Sequence, residues 1–198
     1  VQSASDVVEV RRLRGPEGLV IAKIERPQAV KALDSILQSC DGVMAARGDL
    51  GVEIPYEDVP PVQRRLARRS IELGKFSICA TEMLESMIGA SRPTRAEVAD
   101  VSAAVRDGFD AVMLSAETAA GSYPVETVAA MSRVCIEAEK SAPLTLDREF
   151  LDRVFTRVDQ SIAMAALFTA YHLQVKAIAA LTDSGATALW MSRHGINV

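Results

Sequence analysis

Four short apolar runs, each followed by a longer stretch with helical spacing, set the rhythm of the chain. The runs cover residues 19–25 (LVIAKIE), 41–46 (DGVMAA), 76–80 (FSICA) and 111–115 (AVMLS). They are continuous rather than alternating, which is how parallel strands buried on both faces read. The segments that follow them predict helices over 27–39, 60–73, 94–106 and 124–140. The first opens on a proline, as first turns tolerate. The second stops at Gly74, and the third starts with the capping box Thr-Arg-Ala-Glu. Repeated βα units of about 22 to 35 residues point to a parallel α/β fold.

The rhythm changes after Ser141. Residues 142–148 (APLTLDR) read as a linker. A long helix over 149–172, a strand over 177–182 and a helix from about Ser184 then read as the opening of a second α/β domain. The expected division is 1–141 and 142–198. Four strands do not close a barrel, so the chain reads as an excerpt of a larger enzyme.

Composition narrows the classes. The 198 residues are 49% hydrophobic and 24% charged, with a formal charge of −4. Length and composition suit a globular core. The acidic balance offers nothing for general nucleic-acid or membrane-surface binding, and no apolar run nears the roughly 18 residues of a membrane span. Cys40, Cys79 and Cys135 lie far apart in apolar segments and read as buried free thiols of a reducing, cytoplasmic protein. No cysteine or histidine cluster has zinc spacing; the histidines are His172 and His194.

Chemistry-bearing residues gather where the predicted strands end. The first ends with Lys23 and Glu25, the second with Arg47, Gly48 and Asp49, the third with Thr81, the fourth with Ser115, Glu117 and Thr118. In barrels and open α/β sheets, active sites form at the carboxyl ends of the strands. Lys23 and Glu25 fall on one strand face, either as a structural ion pair or as part of a site. On neighbouring strands roughly 4.8 Å apart, Glu25 and Asp49 can reach one hard cation; Asp49 is otherwise a turn residue. Gly48 and Gly51 allow close backbone approach to a ligand. Arg-Gly-Asp can be an adhesion signal, but directly after a buried-type strand the rim of a site fits it better. Arg64, Arg65, Arg68 and Arg69 read as a solvated or subunit-facing helix surface, Met83, Leu84 and Met87 as helix packing, Trp190 as core or interface, and His172 as a helix end.

The segments AKIERPQAV, DGVMAARGDLGVEIP, ICATEMLESM, RPTRAEVADVSAAVRDGFDAVMLSAETAAGSYP and LTDSGATALWMSR resemble pyruvate kinases, most closely the bacterial type, along essentially the whole chain. The resemblance implies the later strands of a (β/α)8 TIM barrel followed by the start of a regulatory α/β domain. It implies phosphoryl transfer from phosphoenolpyruvate to ADP, giving pyruvate and ATP in glycolysis. Mg2+ or Mn2+, K+, an allosteric effector and a homotetramer come with it. By motif, Lys23 would stabilise the enolate and the transferring phosphoryl group. Glu25 and Asp49 would hold the metal. The backbone at Ala46, Gly48 and Asp49 would bind the substrate carboxylate, and Thr81 would help deliver a proton to the methylene carbon. Thr182, Ser184 and Gly185 resemble the loop that grips an effector phosphate, though a plain capped helix start has the same residues. The nucleotide-contacting lid, the potassium ligands and a substrate arginine would lie before Val1. Glu82 stands where many relatives have Gln, and Ala116 where many have Gly; His194–Val198 departs from the eukaryotic pattern. Another magnesium-dependent barrel acting on pyruvate-like enolates, an aldolase or lyase, would share the two carboxylates without ADP. A non-catalytic scaffold would share only the barrel.

Overall fold

The computed structural model describes residues 1–15, 17–141, 154–155 and 157–193. In its first unit, Val1–Ala142, four parallel strands form one sheet in the order of the sequence. They are β1 (Ile21–Ile24), β2 (Gly42–Ala46), β3 (Phe76–Ala80) and β4 (Ala111–Met113). Parallel neighbours need a crossover, and the intervening segments are long enough to supply it as helix. These are α2 (Pro27–Lys31), α3 (Leu33–Ser39), α4 (Arg47–Glu53), α5 (Val59–Glu72) and α6 (Arg95–Arg106). An opening helix α1 (Ala4–Arg14) precedes β1, and α7 (Ala116–Ala119) and α8 (Pro124–Ser141) follow β4.

Register aligns Lys23 with Met44, Met44 with Ile78 and Ile78 with Ala111, so all four carboxyl ends lie along one edge. One face of the sheet packs under helices: Ala22, Ile24, Val43, Ala45 and Cys79 are buried there. The first two strand–helix layers share a core that includes Leu33, Ile36, Leu37 and Leu66. A second core joins Cys79, Met83, Leu84 and Met87 to Val101, Ala104 and Met131. Each large apolar side chain so buried contributes about 1.5–3 kcal/mol.

Several expectations change in detail. β1 alternates, with Ile21 and Lys23 exposed and Ala22 and Ile24 buried. It is the first strand of the sheet. β1 and β4 are shorter than their apolar runs, because Glu25 and Ser115 leave the ladder at the edge where pairing stops. The helix expected over 27–39 divides at Ala32 (φ −91°, ψ 12°), yet both halves bury one stripe, Ala29, Leu33, Ile36 and Leu37. The capping box forms: Thr94 Oγ1 accepts from the Glu97 amide at 3.2 Å, and Glu97 accepts from the Thr94 amide at 2.7 Å. Met83 and Leu84 lie on the loop after β3, and Met87 on the short 3-10 turn Glu85–Ile88; all three are core residues but not α-helical. Helices α1 and α4 have no counterpart in the apolar pattern of the chain. α1 buries only Val7, and α4 only Arg47 and Leu50, so neither carries a long apolar stripe.

The cysteines carry free thiols. Burial pushes the thiols of Cys40 and Cys135 up, and that of Cys79 up to about 11. Of the arginines on α5, Arg64 meets Asp107, Arg68 meets Glu72 and Arg69 meets Asp34 and Glu72.

The second unit, Pro143–Val198, shows α9 (Val158–Leu173) and α10 (Ala186–Ser192) packed on each other. The expected linker 142–148, the helix start over 149–153 and the stretch 194–198 lie outside the described residues. The strand expected over 177–182 does not form. Among the described residues of this unit no other strand stands beside it, and a lone extended segment has no ladder for its amides. His172 lies in the last turn of α9 against Phe168 and Tyr171, as a helix-end residue, and Trp190 is half-buried. No helix among the described residues is long and apolar enough to cross a membrane.

Candidate active site

The carboxyl edge of the sheet brings three charges from two strands to one point. Lys23 is the penultimate residue of β1, on its exposed face, Glu25 follows directly after the strand, and Asp49 lies in the first turn of α4 directly after β2. The Lys23 Nζ donates to Glu25 Oε2 at 2.6 Å and to Asp49 Oδ2 at 2.7 Å. The ammonium is thus clamped between the two carboxylates. Side-chain exposures of 48% for Lys23, 57% for Asp49 and 25% for Glu25 leave the cluster open to solvent. The hydrogen bonds that Lys23 donates to Asp49 and then to Glu25 hold it above the ordinary lysine value, and the bond from Lys23 holds Asp49 below the ordinary carboxylate range.

Two carboxylate oxygens within reach of one cationic nitrogen are also a fitting donor pair for a hard divalent cation, which prefers oxygen ligands and keeps room for water and substrate. Among the described residues, no three His, Cys, Asp or Glu side chains group into a cage. A cation here would therefore rest on two carboxylates.

Thr81 closes β3 beside this cluster. Its Oγ1 accepts from the Gly48 amide at 2.8 Å and donates to the Ala80 carbonyl at 2.7 Å. A Cβ placed on Gly48 would meet Thr81 Oγ1 at 3.4 Å, an ordinary contact. The folded chain itself does not need a glycine there. The Gly48 amide, expected as a free donor for a substrate carboxylate, is occupied by the threonine hydroxyl. Ala46 is fully buried at the end of β2 and contributes only backbone.

The backbone at this rim is unusual. Thr81 and Glu82 both adopt left-handed conformations, with φ of 66° and 53°. Such residues cost of order 1–3 kcal/mol each and persist only where their surroundings enforce them. Beneath them lies Arg47, which is 7% exposed. Its Nη2 donates to the carbonyls of Thr81 at 2.8 Å and Glu82 at 2.9 Å, and touches Met83 Sδ at 2.9 Å. Its Nη1 donates to both Asp100 oxygens, at 2.8 and 2.6 Å, and to Gln63 Oε1 at 3.3 Å. The buried guanidinium answers the puzzle of an apolar strand ending in Arg-Gly-Asp: arginine turns inward, aspartate outward. An arginine sequestered in this way is not displayed for a receptor, which argues against adhesion.

Asp100 and Gln63 carried no sequence signal beyond their helices. Asp100 is one of several acids on α6 and the loop after it, and only the fold selects it. Glu117, singled out at the fourth strand end, is fully buried and accepts from the amides of Ser115 at 2.7 Å and Leu84 at 3.2 Å. It ties the end of β4 to the loop after β3. Thr182, Ser184 and Gly185 lie in the second unit, on the loop before α10. Thr182 Oγ1 accepts from the Gly185 amide at 3.1 Å, Ser184 Oγ accepts from the Ala186 amide at 3.3 Å, and Gly185 has φ +78°.

The family model described as pyruvate kinase, barrel domain, matches residues 1–128, and that described as pyruvate kinase, alpha/beta domain, matches residues 160–198. The chain belongs to the pyruvate kinase family. Pyruvate kinase II of Salmonella typhimurium is 51% identical over 95% of the chain, and the pyruvate kinase of Haemophilus influenzae 48% identical over 97%. The crystal structure of a pyruvate kinase from Cryptosporidium parvum covers 98% of the chain at a TM-score of 0.89 and 39% identity. The fold is accordingly that of the pyruvate kinase barrel and alpha/beta domains. The chain spans 41–42% of the length of these pyruvate kinases.

Proposed function

We propose that this chain is the later part of the catalytic barrel, residues 1–141, and the start of a regulatory domain, residues 142–198, of an enzyme that transfers a phosphoryl group from phosphoenolpyruvate to ADP. The observation that carries the reading is the convergence of Lys23, Glu25 and Asp49 beside Thr81 at the carboxyl edge of a parallel sheet.

Glu25 and Asp49 would hold Mg2+ or Mn2+, which when bound neutralises charge on the substrate's oxygens. No residue of this chain is assigned to potassium. Lys23 places a fixed positive charge where the enolate oxygen and the transferring phosphoryl group carry negative charge. Preorganised charge of this kind is the main lever in phosphoryl transfer. Loss of the phosphoryl group to ADP leaves an enolate, and a proton must then reach the methylene carbon to give pyruvate. The Thr81 hydroxyl, held by Gly48 and Ala80, would help deliver it. The amides at the start of α4 lack intrahelical acceptors and suit the substrate carboxylate, and the Gly48 amide, which already donates to Thr81 Oγ1, would join them only as a shared donor. Thr182, Ser184 and Gly185 would contact a phosphorylated regulator. Homotetrameric assembly and a cytoplasmic setting complete the reading.

A coupled assay on the full-length enzyme tests it. ATP formation from phosphoenolpyruvate that requires both ADP and divalent metal is the expected result. Turnover of pyruvate-like substrates without any need for ADP would instead indicate an aldolase or lyase.

A further inference from the structure

We propose that Arg47, braced by Asp100, is a positioning residue that sets the Thr81 hydroxyl in place without touching substrate. This rests on the assignment of Thr81 to proton delivery. Arg47 leads the triplet whose third member, Asp49, points to the cation cluster. Its own side chain runs the other way, beneath the turn that follows β3. There it grips the carbonyls of two consecutive left-handed residues, Thr81 and Glu82, neither of them glycine. The left-handed turn fixes where the Thr81 side chain leaves the backbone, and Gly48, next to Arg47, fixes its hydroxyl. One arginine thus couples the end of β2 to the end of β3.

Asp100 does what a lone arginine cannot. By accepting at both oxygens from Nη1, it anchors that end of the guanidinium through charge-assisted bonds, while Nη2 reaches the two carbonyls at the other end. Lysine keeps the charge but offers no planar fork, so it cannot hold Asp100 and two carbonyls in one geometry. Glycine adopts the left-handed region without penalty. A glycine at Glu82 therefore removes part of the need for the brace.

The test uses the full-length enzyme with Arg47→Lys, the milder Asp100→Asn, Thr81→Ala, the pair Arg47→Lys/Thr81→Ala, and Arg47→Lys/Glu82→Gly. Arg47→Lys is expected to slow pyruvate methyl-proton exchange with solvent about 10- to 100-fold, the size of an ångström-scale misplacement, with little change in KM for ADP. Asp100→Asn should give the same pattern in weaker form. The double variant with Thr81→Ala should be no slower than Thr81→Ala alone, since one residue acts through the other, and Glu82→Gly should restore part of the lost rate. Additive losses, or a lowered melting temperature with exchange unchanged, would overturn the proposal. A crystal structure of the Arg47→Lys enzyme decides the point independently of activity: Thr81 and Glu82 still left-handed, with the hydroxyl unmoved, also overturns it. Wild-type enzyme inactive toward phosphoenolpyruvate and ADP would instead refute the function proposed above, and the crystal structure would still judge the brace.

Discussion

Two charge clusters stand side by side on the same edge of the sheet, and they differ in one respect. Lys23 with Glu25 and Asp49 is open to water, whereas Arg47 is 8% exposed at its side chain and bound to Asp100 and two carbonyls. Both are built from short ion pairs. In water such a pair adds little to stability, because solvent screens it and two long side chains lose freedom. Buried, the same pair becomes a geometric constraint whose loss leaves a desolvated charge. Exposure therefore separates a cluster suited to meeting a ligand from one suited to holding backbone.

The comparison breaks most visibly through metal dependence. Glu25→Gln and Asp49→Asn in the full-length enzyme are expected to weaken metal-supported turnover by about 10²-fold or more, with the metal titration displaced to higher concentration. Titration curves that overlay wild type in both variants would remove them as ligands. Next in size is stability. Arg47→Met should destabilise the barrel unit by about 3 kcal/mol, near the lower end for a broken buried pair because Asp100 reaches solvent. Chemical denaturation should show it as a lowered urea midpoint. Lys23→Met should leave that midpoint nearly in place. Equal shifts in the two variants would erase the distinction.

Smaller effects sharpen it. Lys23 is held above its ordinary value, so its contribution to stability is complete below about pH 10 and fades as pH rises through the raised value. Asp49 is held below its ordinary value, so its contribution is complete above about pH 4 and fades as pH falls through the lowered one. The melting difference between wild type and Lys23→Met should therefore be small and flat from about pH 5 to 9. A slope inside that window would mean that other groups titrate with the cluster. In the second unit, Ser184→Asp should abolish activation by sugar phosphates. Retained activation with the same half-saturation would count against Thr182, Ser184 and Gly185 as an effector loop.

Much of this edge was legible in the chain itself. Apolar runs located the four strands, and Phe76–Ala80 matched residue for residue. The placement of Lys23, Glu25, Asp49 and Thr81 at strand ends followed from that alone. The brace was not legible, because it depends on long-range contact. Arg47 and Asp100 are 53 positions apart, and nothing in the pattern of α6 distinguishes Asp100. The left-handed pair Thr81–Glu82 was hidden for a related reason: without glycine, only tertiary contacts impose that conformation. The strand expected over 177–182 failed because apolar composition marks a willingness to pair and cannot supply the partner.

The most direct measurement is solvent-deuterium exchange into the methyl group of pyruvate, followed alongside ATP formation on the full-length enzyme. Lys23→Met is expected to depress both rates by about 10²–10³-fold, because one preorganised charge serves both steps. Thr81→Ala is expected to slow exchange while sparing more of the phosphoryl transfer, since it carries no charge. Both rates near wild type in Lys23→Met would contradict this directly and reduce the Lys23, Glu25 and Asp49 cluster to a structural ion pair at the end of a strand.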